Sequence, residues 1–196
     1  MIYYILSIFL SLFMSQHVMA DTHAAADCEL STVQAVIDLE TVVTGDVVTV
    51  PAGTCTWGTD AAYLDVNKAI TLQGAGVGST VINIPATAGS WGDGTVRISA
   101  AATVKSMTIQ TAETGNSGTA FSTGTANGWR ITDINYNART STSNGYFVYV
   151  GNVYGLIDNN TIAQNSARME PIFVRGPTDS WQTANSIGGA DNVFVE

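Results

Sequence analysis

Val104-Lys-Ser-Met-Thr-Ile109 and Ile131-Thr-Asp-Ile-Asn-Tyr136 carry apolar residues at matching places when one is set above the other at a shift of 27 residues. Leu156-Ile-Asp-Asn-Asn-Thr-Ile162 continues the series, with Asp133 set over Asp158 at a shift of 25. A second set keeps the step, Phe121 to Phe147 being 26 and Val148 to Phe173 being 25. A period in the twenties with two or more β-type runs per repeat specifies a solenoid, in which each coil buries its inner residues against the coils above and below. A β-sandwich would need antiparallel partners joined by tight hairpins. The steps Asp93-Gly94, Asn127-Gly128 and Asn144-Gly145 each precede a strand at a spacing that equally suits a solenoid corner.

Outward from these segments the text is uniform. DVVTVPAG, KAITLQGAG, TVINIPA, GTVRISA, GWRITDI, GYFVYVG and PIFVRG are short β-branched runs separated by Gly, Asn, Pro or Ser, and from Asp46 onward no helical periodicity intervenes. Ser31 to Glu40 is different. Ser31 precedes Gln34 by three positions with Val33, Val36, Ile37 and Leu39 around it, a capping box opening a short amphipathic helix.

The residues Val33-Gln-Ala-Val-Ile37, Gly45-Asp-Val-Val-Thr-Val-Pro-Ala-Gly53, Ile70-Thr-Leu-Gln-Gly-Ala-Gly76 and Thr80-Val-Ile82 resemble the N-terminal cap and first coil of parallel β-helix proteins of the pectate lyase type. The resemblance covers residues 31 to 84 by motif and the rest by coil period. It implies an all-β fold, a right-handed parallel β-helix solenoid with a short N-terminal capping helix over the open first coil. Such a cap is needed because a bare solenoid end offers unpaired backbone groups to any other chain. Fold does not carry activity with it, since the same entry segment serves lyases, hydrolases and adhesins.

Composition narrows the classes. Of 196 residues 45% are hydrophobic, 12% charged and 19 are Gly, which excludes a disordered chain and a collagen. With 7 basic against 16 acidic residues and a formal charge of −9, nucleic acid is excluded as a partner. Met1 to Met14 is apolar apart from Ser7 and Ser11, and Val18-Met19-Ala20 supplies small or modest residues for a leader peptidase. Residues 1–20 therefore read as a signal peptide, although the n-region has no Lys or Arg. The apolar run ends at Ser15, short of the roughly 20 residues that span a bilayer. The expected product begins at Asp21, has no membrane association after cleavage, and is secreted or periplasmic. In that compartment the only two cysteines, Cys28 and Cys55, pair more often than they stay free. Such a bond would pin the cap to coil one. Residues 21–45 are then a tail and cap helix, with His23 in a mobile tail, and 46–196 the coils. Val195-Glu196 stands where Ile157-Asp158 stands one coil earlier, which leads to the expectation of a truncated chain, or of a partner covering that edge.

Charge is uneven along the chain. Residues 21–126 hold 10 acids and 3 bases, whereas 127–196 hold 6 acids and 4 bases, namely Arg130, Arg139, Arg168 and Arg175. An anionic polymer would meet the second half. Its densest cluster is Arg168, Glu170, Arg175, Asp179 and Trp181, which could form a sugar site, with Trp181 stacking on a pyranose and Arg gripping a carboxylate. The same residues equally suit a long loop held by ion pairs. The resemblance implies, for lyases of this type, carboxylates holding Ca²⁺ against a uronate and an Arg or Lys removing the adjacent proton. Asp133 and Asp158 are the candidate Ca²⁺ ligands if they line up, or rungs of a hydrogen-bonding ladder. No Trp-Ile-Asp-His signature is present, and the hydrolase reading fails for want of His or paired Asp in the coils. Asn159-Asn-Thr161 matches a glycosylation sequon or a stacked-Asn turn, and Gly74-Ala-Gly76-Val-Gly78 marks a corner. The function expected is engagement of extracellular polysaccharide, as a Ca²⁺-dependent lyase or a remnant of one. The alternative is a noncatalytic surface, structural or adhesive solenoid. An ice-binding solenoid would need a Thr-x-Thr ladder in register, and the threonines here keep none.

Overall fold

A computed structural model describes residues 19–58, 62–85, 94–111, 118–124, 126–138, 146–151, 153–164, 170–174 and 193–195. Among them lie one helix and fifteen strands: β1 (Thr22–Ala24), α1 (Leu30–Ile37), β2 (Val47–Val50), β3 (Gly53–Thr56), β4 (Leu64–Val66), β5 (Thr71–Gly74), β6 (Thr80–Ile84), β7 (Val96–Ile98), β8 (Thr103–Thr111), β9 (Phe121–Thr123), β10 (Trp129–Ala138), β11 (Tyr146–Val150), β12 (Gly155–Asp158), β13 (Thr161–Gln164), β14 (Glu170–Val174) and β15 (Val193–Val195). Every pairing among the described residues is parallel. The chain is a parallel β-solenoid.

Three inward rows build the core. On the first face Val48, Leu72, Val104, Ile131 and Ile157 stack in register, each at most 2% exposed. The second face stacks Cys55, Ile82, Ile109, Tyr136 and Ile162. On the third, Leu64, Val96, Phe121, Val148 and Ile172 follow one another. The shift of 27 from Val104 to Ile131 and from Ile109 to Tyr136 is the observed register, as is Ile157 beside Val195. On the third face the expected register is off by one: Phe121 is paired with Val148, and Phe173 with Tyr149. Phe121 and Phe147 are both buried and meet edge to face, 5.5 Å between centroids.

First and second faces form one ten-stranded sheet because β8 and β10 run unbroken round the corner between them; the third face is a separate five-stranded sheet. The turn in β8 and β10 is made by one residue in the left-handed region, Ser106 (φ 61°) and Asp133 (φ 53°), and Asn159 (φ 53°) does the same between β12 and β13. Asn and Asp tolerate this conformation better than other side-chain-bearing residues. Next to it, Asn160 bonds to two backbone groups of β10, on either side of its corner, accepting from the Ile134 amide at 2.8 Å and donating to the Ile131 carbonyl at 2.9 Å. Earlier coils turn widely instead, through Pro51-Ala52 and residues 75–79. There the buried Thr80 hydroxyl donates to the Pro51 carbonyl at 2.9 Å and accepts from the Ala75 amide at 2.8 Å.

The cap differs from expectation in two ways. The helix begins at Leu30 with Glu29 as its N-cap and no side-chain cap bond, so Ser31 and Gln34 form no capping box. Gln34 is used elsewhere: its Oε1 accepts from the Asp65 amide at 2.8 Å and its Nε2 donates to Asp38 at 2.9 Å, fixing the helix to β4. Val33 and Ile37 are the buried face. His23 lies in β1, on β2, and not in a loose tail. Cys28 and Cys55 form the expected disulfide with Cα atoms 5.8 Å apart, and Trp57, fully buried, donates from Nε1 to the Cys28 carbonyl at 2.8 Å. In the chain-entropy model a loop of this size is worth roughly 3 kcal/mol.

Candidate functional site

A strand buries alternate residues, so the residues between the rungs of the first face point out and stack with equal regularity. One outward row runs Thr71, Thr103 and Arg130; the next runs Gln73, Lys105, Thr132 and Asp158. All of these but Gln73, together with the corner residues Asp133 and Asn159, line an open groove of about 510 Å³.

Arg130 and Asp158 form a two-pronged pair, Nε to Oδ1 at 2.9 Å and an Nη to Oδ2 at 2.5 Å. This guanidinium holds the Asp158 carboxyl below the usual carboxylate range, against a smaller opposing effect of burial, and Asp158 in turn raises Arg130. Asp133 accepts a hydrogen bond from the Asn159 amide. Lys105 is half-buried, and among the described residues its ammonium has no acidic partner. The groove thus combines the paired Arg130 and Asp158, the uncommitted Lys105, the Asp133 carboxylate and the hydroxyls of Thr71 and Thr103, with buried Thr132 bonded to Asp158 beneath them. Such a set can hold a carboxylate and the hydroxyls beside it across successive coils.

Of the residues singled out in the sequence, Arg130, Asp133 and Asp158 meet here. Asp133 and Asp158 are not in register as expected: Thr132 pairs with Asp158, and Asp133 stacks on Asn159. Matching Asp to Asp slipped the alignment by one residue. Their fit to Ca²⁺ is poor, because both Asp158 oxygens are engaged by Arg130 and Asp133 is the other carboxylate of the groove. That ion takes six to eight oxygens. No group of three or more potential metal ligands occurs among the described residues. Glu170 opens β14 and so belongs to the five-stranded sheet, away from Arg130 in sequence of faces. Arg168, Arg175, Asp179 and Trp181 lie outside the described residues, as does Arg139. Lys105, Thr71, Thr103 and Thr132 were missed. The register signal was present, since Lys105 lies over Thr132 at the same shift of 27 that aligns Val104 with Ile131. Division of the chain into a strongly acidic first half and an Arg-bearing second half hid it, for the fold sets Lys105 of the first half in the same groove as Arg130 of the second.

The sequon is a stacked turn here: the Asn159 amide is spent on Asp133 and Asn160 on backbone. No helix among the described residues is long and apolar enough to cross a membrane. Compared with known proteins, the chain matches no family model, no curated protein and no solved structure.

Proposed function

We propose that this chain is an exported β-solenoid that binds an acidic extracellular polysaccharide along the outer groove of its first face. The observation that carries the proposal is the uncommitted Lys105 beside Arg130 in an open groove floored by Thr71, Thr103 and Thr132. A repeating polymer suits a surface that itself repeats coil by coil, and hydroxyl-bearing strands offer neutral contacts to the sugar while the cations select for uronate. The Cys28–Cys55 bond supports an oxidising compartment. Binding, and not cleavage, is the reading favoured: Asp158 is tied up by Arg130, and Asp133 accepts a bond from Asn159, which leaves Lys105 as the uncommitted charge of the groove among the described residues.

Affinity measurements on pectate, alginate and a neutral glucan test this. Binding to the uronate polymers is expected, with Lys105→Ala weakening it by about tenfold, or about 1.4 kcal/mol. Equal binding to the neutral glucan, or none to any polymer, would overturn the proposal. Release of ultraviolet-absorbing unsaturated products from the same mixtures would replace it with the lyase reading.

A further inference from the structure

Asp46 is a carboxylate whose side chain is only 1% exposed, and its surroundings supply hydrogen bonds more than charge. Its Oδ2 accepts from the Val43 amide at 2.8 Å and from His23 Nε2 at 3.1 Å. Among the described residues His23 is the only side chain that faces it with a group able to carry positive charge. Its Oδ1 accepts from the backbone nitrogen of Asp21 at 3.0 Å. Asp21 is seated by backbone as well, since its carbonyl accepts from the Val47 amide at 2.8 Å. Asp21 is itself exposed, as are Ala20 and Met19 before it, Met19 at 79%, so what sets Asp21 apart is its hydrogen bonds.

Among the described residues, the first that is hydrogen-bonded to the solenoid is thus the one that the Val18-Met19-Ala20 pattern makes the new N-terminus. We infer that cleavage of the Ala20–Asp21 bond creates a lock, the α-ammonium of Asp21 forming an ion pair with buried Asp46 that closes β1 onto the first coil. The inference rests on the leader reading. Chemically the step is a hydrolysis: water adds across the peptide bond, its oxygen goes to the Ala20 carbonyl carbon, and the released Asp21 amine takes up a proton. In the uncleaved chain the same nitrogen is a neutral amide with one hydrogen to give. After cleavage it carries a full charge at neutral pH and three hydrogens, at an atom already within bonding distance of the carboxylate. A charge with little access to water is stabilised far more by such a partner than an exposed one is. Processing would then do more than discard a leader.

The test uses the full coding sequence, exported through its own leader, and a second form in which Gly-Ser precedes Asp21 in the secreted product. Intact mass identifies each N-terminus. An unprocessed chain, or one cut elsewhere, overturns the leader reading on which the lock depends, and glycan binding by that material still reports on the groove. With the N-terminus at Asp21, hydrogen exchange of the Thr22–Ala24 amides is expected to be about tenfold slower than in the extended form. In Asp46→Asn that difference should vanish. Equal exchange in the native and extended forms, or a difference that persists in Asp46→Asn, would overturn the lock. If Asp46→Asn does not fold, Nα-acetylation of the native product removes the charge without lengthening the chain, and undiminished protection there overturns the lock equally.

Discussion

The two kinds of corner between the first and second faces solve one geometrical problem with different by-products. In the first coils the chain turns through Pro51-Ala52 and through residues 75–79, and the turn is held by the hydroxyl of buried Thr80. In the later coils a single left-handed residue turns it, Ser106, Asp133 or Asn159. A wide corner spends its residues on backbone. A one-residue corner leaves the strands continuous and projects a side chain at each coil, and the two amide- or carboxylate-bearing corners are the ones that line the groove. The cap end is correspondingly built for closure, with a disulfide, a helix and a buried Trp57, while the groove proposed for recognition is lined in part by the tight corners.

The largest effect should fall on the closed end. Replacing Cys28 and Cys55 together by Ala is expected to lower the unfolding free energy by roughly 3 kcal/mol. Hydrogen exchange should rise in α1, β2 and β3 while β10 and β12 change little. Uniform loss of protection would mean that the two regions are one cooperative unit and the contrast is only descriptive.

At the tight corner, Asp133→Val places a β-branched side chain at a φ of 53°, and a loss of about 1–2 kcal/mol is expected in urea unfolding. The same exchange at Lys105, a neighbouring outward position with ordinary strand geometry, should be nearly silent for stability. If both substitutions behave alike, the left-handed corner does not select the residue that occupies it.

A smaller effect concerns pH. Arg130 depresses the Asp158 carboxyl, so the pair's contribution is fully present above the unfolded carboxyl value of about 3.9 and is lost as pH falls through the lower folded value. Asp46, lowered chiefly by the Val43 amide, fades in the same direction at the other end. Following the Asp158 carboxyl by NMR, Arg130→Gln should move its midpoint up toward the ordinary value and leave Asp46 unmoved. An unchanged Asp158 midpoint would show that the pair is not formed in solution.

The smallest change is expected at Tyr136, whose hydroxyl is buried and without a partner among the described residues, burial pushing its ionisation upward. Tyr136→Phe removes an unsatisfied group and should be neutral or stabilising by up to about 1 kcal/mol. Destabilisation would reveal a partner for that hydroxyl.

These contrasts also explain what could be read from the chain. Inward rows were legible because the core demands one apolar residue per coil at a fixed step, as Val104 and Ile131 show. Corner residues obey no such demand, so Asp133 was matched to the like residue Asp158 when its true neighbour is Asn159. The capping-box pattern at Ser31 and Gln34 was genuine as a pattern, but Asp65, distant in sequence, claimed the Gln34 amide. Lys105 was passed over although the shift of 27 set it over Thr132, because a lone lysine acquires meaning only from what the next coil sets beside it.

The register has a consequence for how such a chain acquires its shape. Along the first face each rung closes on the one before it across a similar stretch of chain, from 24 residues between Val47 and Thr71 to 38 between Gly155 and Val193. Loop-closure cost grows only with the logarithm of length, so the shortest and longest steps differ by about 0.4 kcal/mol. No rung must wait for a remote segment, and a coil can settle as soon as the one before it exists. Growth can therefore proceed from the stapled end in the order in which the chain is made or threaded through a pore, each finished edge serving as the template for the next.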